Sequence, residues 1–446
     1  MRPAPGAGAA RPGGPWAREA GMKKWLVVAL VTALFLGLAV QAVDKSFRRG
    51  DLRTFIVAGK GIIEYTQPYA GSSAGAGFIY PPYFAVLMVP FAAAPRVVGA
   101  TAWFLLNFAA LVLLFATSLY LLERPSARMA PWLRAKLRVL WNGKVNGVVA
   151  AAVVITGPLW LENINFGTIN IQLCALALLG VYFAAGGKRV VAGILLGAAV
   201  SPKFFAAPVL LYLFFKKEYR PVAYALATVA LLYGAPAALL GWGRNAALLG
   251  AWYGKVIAPA KGAAFAYGMG YNISLMAVIY RLCEALRFCD AGSVYRTPFL
   301  FNALNLALAA LSLSPLAFYF LKRRRAGEEA GPRHDGVVDG LRLSLIIVCG
   351  LLFIPFTWGA YYVAAALPVM AVLYAQREIA SRRARLVCPV LLVLFFVAFA
   401  CFTSSDIWGK GKAVFYYYGL VTAGGLSLYA AVVVALLSPW RPRAAS

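Results

Sequence analysis

Tyr80-Pro81-Pro82-Tyr83-Phe84-Ala85-Val86-Leu87-Met88-Val89-Pro90-Phe91-Ala92-Ala93-Ala94-Pro95 is the stretch on which the topology of this chain turns. It is apolar enough to enter a membrane, yet it is short and carries four prolines. A crossing helix needs roughly 20 residues, and each proline removes a backbone donor from it. If the stretch crossed, the most basic loop, Arg124 to Lys144, would fall on the outside, against the tendency of Lys and Arg to stay in the cytoplasm. The stretch is therefore expected as a juxtamembrane or re-entrant helix on the outer face.

Outward from it, apolar runs recur along nearly the whole chain. Hydrophobic residues make up 62% of the 446 residues and charged residues 13%, which excludes a soluble protein and predicts an all-α polytopic membrane protein. The formal net charge of +28 does not point to nucleic acid. The basic residues sit in short clusters between apolar runs, where they act as topology signals and meet anionic membrane lipids. With the 80–95 stretch outside, spans near 23–43, 98–122, 146–162, 168–186, 219–241, 298–321, 339–357, 360–376, 386–403 and 413–437 agree with every basic cluster.

The segment 190–215 is basic at both ends, so it is expected as two half-length helices bent at Ser201-Pro202-Lys203, lining a cavity. Residues 1–21 read as a disordered basic tail, 22–440 as one integral-membrane domain, and 441–446 as a cytoplasmic tail. Residues 44–97 form the first external loop, with juxtamembrane helices, and 242–297 the second large one. The six cysteines show no metal-ligand spacing, and only Cys283 and Cys289 suggest a bridge on an oxidising face. His334 lies in the cytoplasmic stretch Gly331-Pro332-Arg333-His334-Asp335 and reads as a solvated loop residue.

The chain has only 15 acidic residues, and Asp51 is the best placed of them for chemistry on the outer face. It stands where residues 51–66 can form an amphipathic interfacial helix with Phe55, Ile62 and Ile63 toward lipid. It is either the base for an acceptor hydroxyl or simply a helix cap. Lys203 is an ammonium inside an apolar segment, which suits a lipid phosphate or snorkelling to the interface. Glu162, Asn163, Asn165, Asn170 and Gln172 gather at a helix–helix turn, either to bind hydroxyls or to satisfy the turn itself. Tyr271-Asn272-Ile273-Ser274, followed by Arg281, is a helix cap or a phosphate clamp. No phosphate-binding glycine loop, metal-ligand cluster or nucleophile elbow is present in the sequence.

Taken in order, these motifs resemble glycosyltransferase family 87, polytopic enzymes of the GT-C superfamily that use polyprenyl-phosphate sugars. Asp51, Pro68-Tyr69 and Tyr80-Pro81-Pro82 match the pattern of an acid after the first helix, a Pro-Tyr pair and an aromatic-Pro-Pro turn. Gly167-Thr168-Ile169-Asn170 is similar to the family's Gly-Gln-hydrophobic-Asn motif, with threonine for glutamine. Ala192-Gly193 to Gly197 and on to Lys203 resembles its Ala-Gly-x-x-x-Gly and Lys-Pro elements, with the proline before the lysine here. Asn272-Ile273-Ser274 resembles its Asn-x-Ser motif, and Pro355-Phe356-Thr357-Trp358-Gly359-Ala360-Tyr361 its Pro-x-x-Trp-x-His-Tyr motif, with Ala360 where relatives carry histidine.

The resemblance implies a GT-C-type fold of about 10–12 transmembrane helices. It implies an inverting transfer of a hexose, mannose first among the candidates, from a lipid-linked donor to a glycolipid or glycan acceptor. Such chemistry belongs to cell-envelope biosynthesis, at the extracytoplasmic side of the inner or plasma membrane. In that scheme Asp51 is the catalytic base and Lys203 and Arg281 bind the donor phosphate. Tyr69, Tyr80, Glu162, Asn170, Asn272, Trp358 and Tyr361 contact the sugar or acceptor. No metal or other cofactor is required, and the protein is expected to act as a monomer without nucleic acid. The competing expectation is a lipid or glycan transporter or flippase, for which broken helices are equally natural.

Overall fold

The computed structural model describes residues 32–46, 48, 50–70, 77–123, 147–258, 269–287, 298–326, 334–403 and 405–440. The expected basic tails, the basic segment 124–144 and Cys289 lie outside the described residues. What is described is helical throughout, and the only extended pairing among the described residues is an isolated bridge between Ile379 and Trp440. The chain is an all-α, multi-pass membrane protein.

The first part of the bundle runs through α1 (32–46), α2 (Asp51–Ile63), α3 (Pro82–Leu87), α4 (Val89–Ala93) and α5 (Arg96–Glu123). It continues with α6 (Gly147–Ile155), α7 (Gly157–Phe166), α8 (Asn170–Ala185), α9 (Arg189–Val200), α10 (Pro208–Phe215) and α11 (Tyr219–Gly234). After α12 (Trp242–Trp252) and α13 (Leu275–Ala285) come α14 (Pro298–Ser312), α15 (Ser314–Ala326) and α16 (His334–Phe353). A 3₁₀ helix (Gly359–Ala365) leads into α17 (Ala366–Ala375), followed by α18 (Arg382–Cys401), α19 (Lys412–Tyr417) and α20 (Leu420–Leu437). His334, expected in a solvated loop, instead opens α16.

Among the described residues, six helices are long and apolar enough to cross a membrane, and α6 with α7, bent by 59°, makes a seventh if counted as one span. Pro158 at the start of α7 explains that bend, because it cannot donate back into α6. The segment Gly336–Phe353 is buried inside the protein along 83% of its span, whereas Asn302–Leu321 is buried along 6%. The first is thus the central post of the bundle and the second a lipid-facing strut.

The region around Lys203 is framed by helices that are too short to cross. Asn170–Ala185, Arg189–Val200, Phe204–Phe215 and Gly359–Ala375 are apolar but fall short of a full crossing. The 190–215 segment breaks at Ser201-Pro202-Lys203 as its two basic ends require. Asn170 opens α8, Lys203 follows α9 and Tyr361 precedes α17, so three interrupted helices turn their ends toward one region. The Gly193 and Gly197 pair has a packing cause. Added Cβ atoms would collide with Tyr224 and Thr228 of α11, so the two glycines let α9 and α11 cross closely, as small residues do in membranes.

Helix α2 is oriented differently from expectation. Phe55 and Ile62 are buried, and only Ile63 is exposed. Phe55 meets Tyr80, Phe84 and Trp103 edge-on at centroid distances of 5.0, 5.0 and 5.7 Å. The expected lipid-facing stripe is therefore the seat of α2 on α3 and α5. Burying a Phe contributes about 1.5–3 kcal/mol and edge-to-face pairs add to it, which fixes the helix that begins at Asp51.

Candidate active site

Asp51 is the first residue of α2, and Gly50, not Asp51, occupies the N-cap position without a side-chain cap bond. The capping role weighed from the sequence is therefore not what holds the carboxylate. The approach here is tight: a Cβ on Gly50 would run into the carbonyl of Phe166, at the end of α7. The next residue, Gly167, has φ +63°, and a Cβ there would sit 2.9 Å from the Leu52 side chain. Trp103 of α5 closes this corner by donating to the Gly167 carbonyl at 2.8 Å. The left-handed glycine thus ends α7 where α2 starts.

Lys203 comes to the same place from the break after α9. Its Nζ lies 5.0 Å from the centre of the Tyr80 ring and 5.1 Å from that of Tyr361, and it donates to Asn170 Oδ1 at 3.2 Å. Two aromatic faces and one amide hold a buried ammonium, each cation–π contact contributing roughly 2 kcal/mol when desolvated. An ammonium has three donors, and Asn170 takes the one hydrogen bond that Lys203 makes among the described residues. Burial raises the Asp51 carboxyl above the ordinary carboxylate range, and the Lys203 charge opposes that rise. The Tyr80 hydroxyl is buried without a hydrogen-bond partner among the described residues. Burial first, then the Asp51 and Tyr361 charges, keeps it protonated well above the usual phenol range.

The supporting shell is backbone-directed. Tyr69 donates to the Tyr80 carbonyl at 2.8 Å, Trp252 of α12 donates to the Ile79 carbonyl at 3.1 Å, and Lys255 to the Tyr69 carbonyl at 3.2 Å. Arg244 stacks 4.0 Å above the Tyr65 ring and reaches the Gly61 and Ile62 carbonyls at the end of α2. Residues 244–255 thus brace residues 61–80. Asn163 is the hub at the inner edge: it accepts from Thr168 and, at 2.9 Å, from Asn170, and it donates 2.8 Å to the Ala360 carbonyl.

Among the residues expected at the site, Asp51, Lys203, Tyr80, Tyr361 and Asn170 come together, and Tyr69 backs them. Glu162 and Trp358 flank Gly359 on the adjoining segment. Arg281, expected at the phosphate, is completely buried and spends its guanidinium on backbone carbonyls: Asn272 at 2.8 Å, Met269 at 2.9 Å, and Tyr416 and Tyr417 each at 3.1 Å. It fastens the 269–272 turn to α19. Asn272, expected at the sugar, donates to the Pro355 carbonyl at 2.7 Å and accepts from the amides of Ser274 and Thr357, each at 3.0 Å. Ser274 caps α13 through the Ala277 amide. Asn163 was visible in the sequence only as one amide in a polar turn, and Trp252 and Lys255 carried no signal at all.

Among the described residues, no three His, Cys, Asp or Glu side chains gather as metal ligands do. What has gathered is a carboxylate, an ammonium and aromatic walls, suited to taking a proton from a hydroxyl beside an anion. A sequence model of Glycosyltransferase family 87 matches residues 78–338, more than half of the chain.

The chain belongs to glycosyltransferase family 87.

The family 87 match takes in Tyr80, Glu162, Asn170, Lys203 and Arg281, while Asp51 precedes it and Trp358 and Tyr361 follow it. The chain is also similar to a polyprenol-phosphate-mannose-dependent alpha-(1-2)-phosphatidylinositol mannoside mannosyltransferase of Mycobacterium tuberculosis, with 32% identity over 175 residues. That alignment spans 37% of this chain and 36% of the relative's length.

Proposed function

We propose that this family 87 protein is an inverting glycosyltransferase. It moves a hexose, mannose by its likeness to the relative, from a polyprenyl-phosphate donor to a hydroxyl of a glycolipid or glycan on the outer face of the membrane. The observation that carries this reading is the Lys203 ammonium held between the Tyr80 and Tyr361 rings, where its charge acts on the Asp51 carboxyl from an element far away in the chain. The Asp51 carboxylate takes the acceptor hydroxyl proton as the oxygen attacks the anomeric carbon. The bond from that carbon to the phosphate oxygen breaks on the opposite face, and polyprenyl phosphate leaves with the electron pair. Lys203 stabilises the charge that develops on the leaving phosphate, and it does so in a water-poor setting where the effect is large. The Tyr80 and Tyr361 rings keep its ammonium fixed.

Support for a lipid-linked donor comes from what lies beside the lysine. Phe205 stacks on Tyr361 at 4.9 Å and also lines a shallow apolar crevice with Leu114, Leu178, Val209, Ile347 and Leu351. An isoprenoid tail matches such walls. The outer-face assignment is supported by the basic clusters on the opposite side of the topology. Purified protein in lipid nanodiscs, given labelled polyprenyl-phosphate mannose and a phosphatidylinositol mannoside, is expected to form one glycosidic product with inverted configuration at the anomeric carbon. A retained configuration, or movement of the lipid without sugar transfer, would overturn this function.

A further inference from the structure

A second polar cluster lies at the start of the 3₁₀ helix that also carries Tyr361. Gly359 opens it: a Cβ at that position would stand 3.5 Å from Tyr416 Oη, 3.8 Å from Glu162 Oε2 and 4.0 Å from the Phe399 ring. Neither the Glu162 carboxylate nor the Tyr416 hydroxyl has a hydrogen-bond partner among the described residues. Lys412, at the start of α19, brings positive charge near Glu162.

The wall beside this pair is aromatic. Trp358 directly precedes Gly359, and its ring lies 5.7 Å from both Tyr271 and Phe356. Its indole Nε1 is buried and has no partner among the described residues. An acceptor-only carboxylate, a phenol that both donates and accepts, an indole donor and flat apolar rings together make the surface that a sugar ring needs. The Arg281 clamp acquires a purpose here, since it holds the Tyr416 carbonyl and so fixes where that phenol stands.

The two clusters share their supports. Glu162 and Asn163 are neighbours on α7, one facing the Gly359 slot and the other bonded to Asn170, the partner of Lys203. Gly359 and Tyr361 lie two residues apart on the 3₁₀ helix, and Asn163 grips the Ala360 carbonyl between them. We propose that Glu162, Tyr416 and Trp358 form a second, polyol-binding subsite that holds the sugar headgroup of the acceptor next to the Asp51–Lys203 centre. This assignment rests on the glycosyltransferase function proposed above and adds a location for the acceptor.

Two-substrate kinetics test it with the full chain in nanodiscs, using labelled polyprenyl-phosphate mannose and a synthetic short-chain mannosyl glycolipid. Glu162→Gln and Tyr416→Phe are each expected to raise the acceptor KM about tenfold or more while the donor KM stays within about twofold, since a hydrogen bond to a charged group is worth roughly a factor of ten or more. Glu162→Asp, which keeps the charge, should recover part of the loss. A rise in donor KM, or unchanged KM for both substrates, overturns the proposal. If Glu162→Gln fails to fold, Tyr416→Phe decides alone. Direct binding of the glycolipid to the wild-type protein separates the two claims. Binding that Glu162→Gln weakens, with no sugar transfer by the wild type, would leave the subsite standing and remove the transferase function.

Discussion

Replacing Lys203 with methionine removes the buried ammonium but keeps an unbranched apolar stem between the Tyr80 and Tyr361 rings. Two separate effects should follow. The first is on the leaving phosphate, which loses its nearest positive charge. Removing one such stabilising group from an enclosed centre costs roughly 3–4 kcal/mol, or about 100- to 1,000-fold in kcat. The second is on Asp51. Its carboxyl is already raised by burial, and Lys203 is the charge that opposes the rise. A base acts as the carboxylate, so activity falls as pH drops through the folded-state pKa. Because that pKa is raised, the acid limb of the wild type stands above the value near 4 of a free Asp.

Losing a nearby opposite charge moves such a limb by up to roughly 1–3 pH units, and here the direction is upward. The assay is kcat/KM for sugar transfer across about pH 5 to 9 for the wild type, Lys203→Met and Lys203→Arg. The arginine variant should keep the limb near its wild-type position, because the charge remains. A methionine variant within a few-fold of wild-type kcat, or one whose acid limb stays put or moves down, would refute the coupling of Lys203 to Asp51.

Other residues answer to different measurements. Tyr80→Phe deletes a buried hydroxyl that has no partner among the described residues, so the thermal midpoint should hold or rise while kcat/KM falls about tenfold. A loss of stability matched to the loss of activity would show that the hydroxyl is structural. Gly50→Ala sets a methyl against the Phe166 carbonyl and must push Asp51 away from α7, so kcat should drop at least tenfold in a protein that still folds. Arg281→Met should act mainly on stability, by about 3 kcal/mol or more, because backbone carbonyls at four residues lose a charged donor. Full stability with a selective rise in donor KM would return Arg281 to the phosphate.

The parts of the fold that hydropathy and charge control were legible in the sequence. The prolines of the 80–95 stretch and the basic ends of 190–215 specified a pair of short, non-crossing helices and a broken helix, because membrane crossing depends on length and on satisfied backbone donors. Asp51, Tyr80 and Lys203 could be singled out because charges and proline turns are rare in so apolar a chain. Their meeting could not be read from spacing, since Asp51 and Lys203 lie on different elements and only tertiary packing joins them. The buried face of α2 is hidden from the sequence for a similar reason. Its apolar stripe suited lipid or protein equally, and the Tyr80, Phe84 and Trp103 rings decided between them. The bracing roles of Arg281 and Asn272 are not legible in the sequence, which does not reveal backbone carbonyls as partners. Bonds to the Met269, Tyr416 and Pro355 carbonyls became visible only once the 269–274 turn, the 355–357 segment and α19 lay side by side.

Asp51→Asn is the most direct test of the proposed chemistry. The amide keeps the size of the side chain at the start of α2 and removes only the ability to accept the hydroxyl proton. The measurement is single-turnover transfer of labelled mannose from a polyprenyl-phosphate donor, with donor binding followed on the same protein. Transfer lost by about 1,000-fold or more with donor binding retained is the predicted result, in line with the loss of a general base. Transfer at the wild-type rate by Asp51→Asn would contradict the role assigned to this carboxylate.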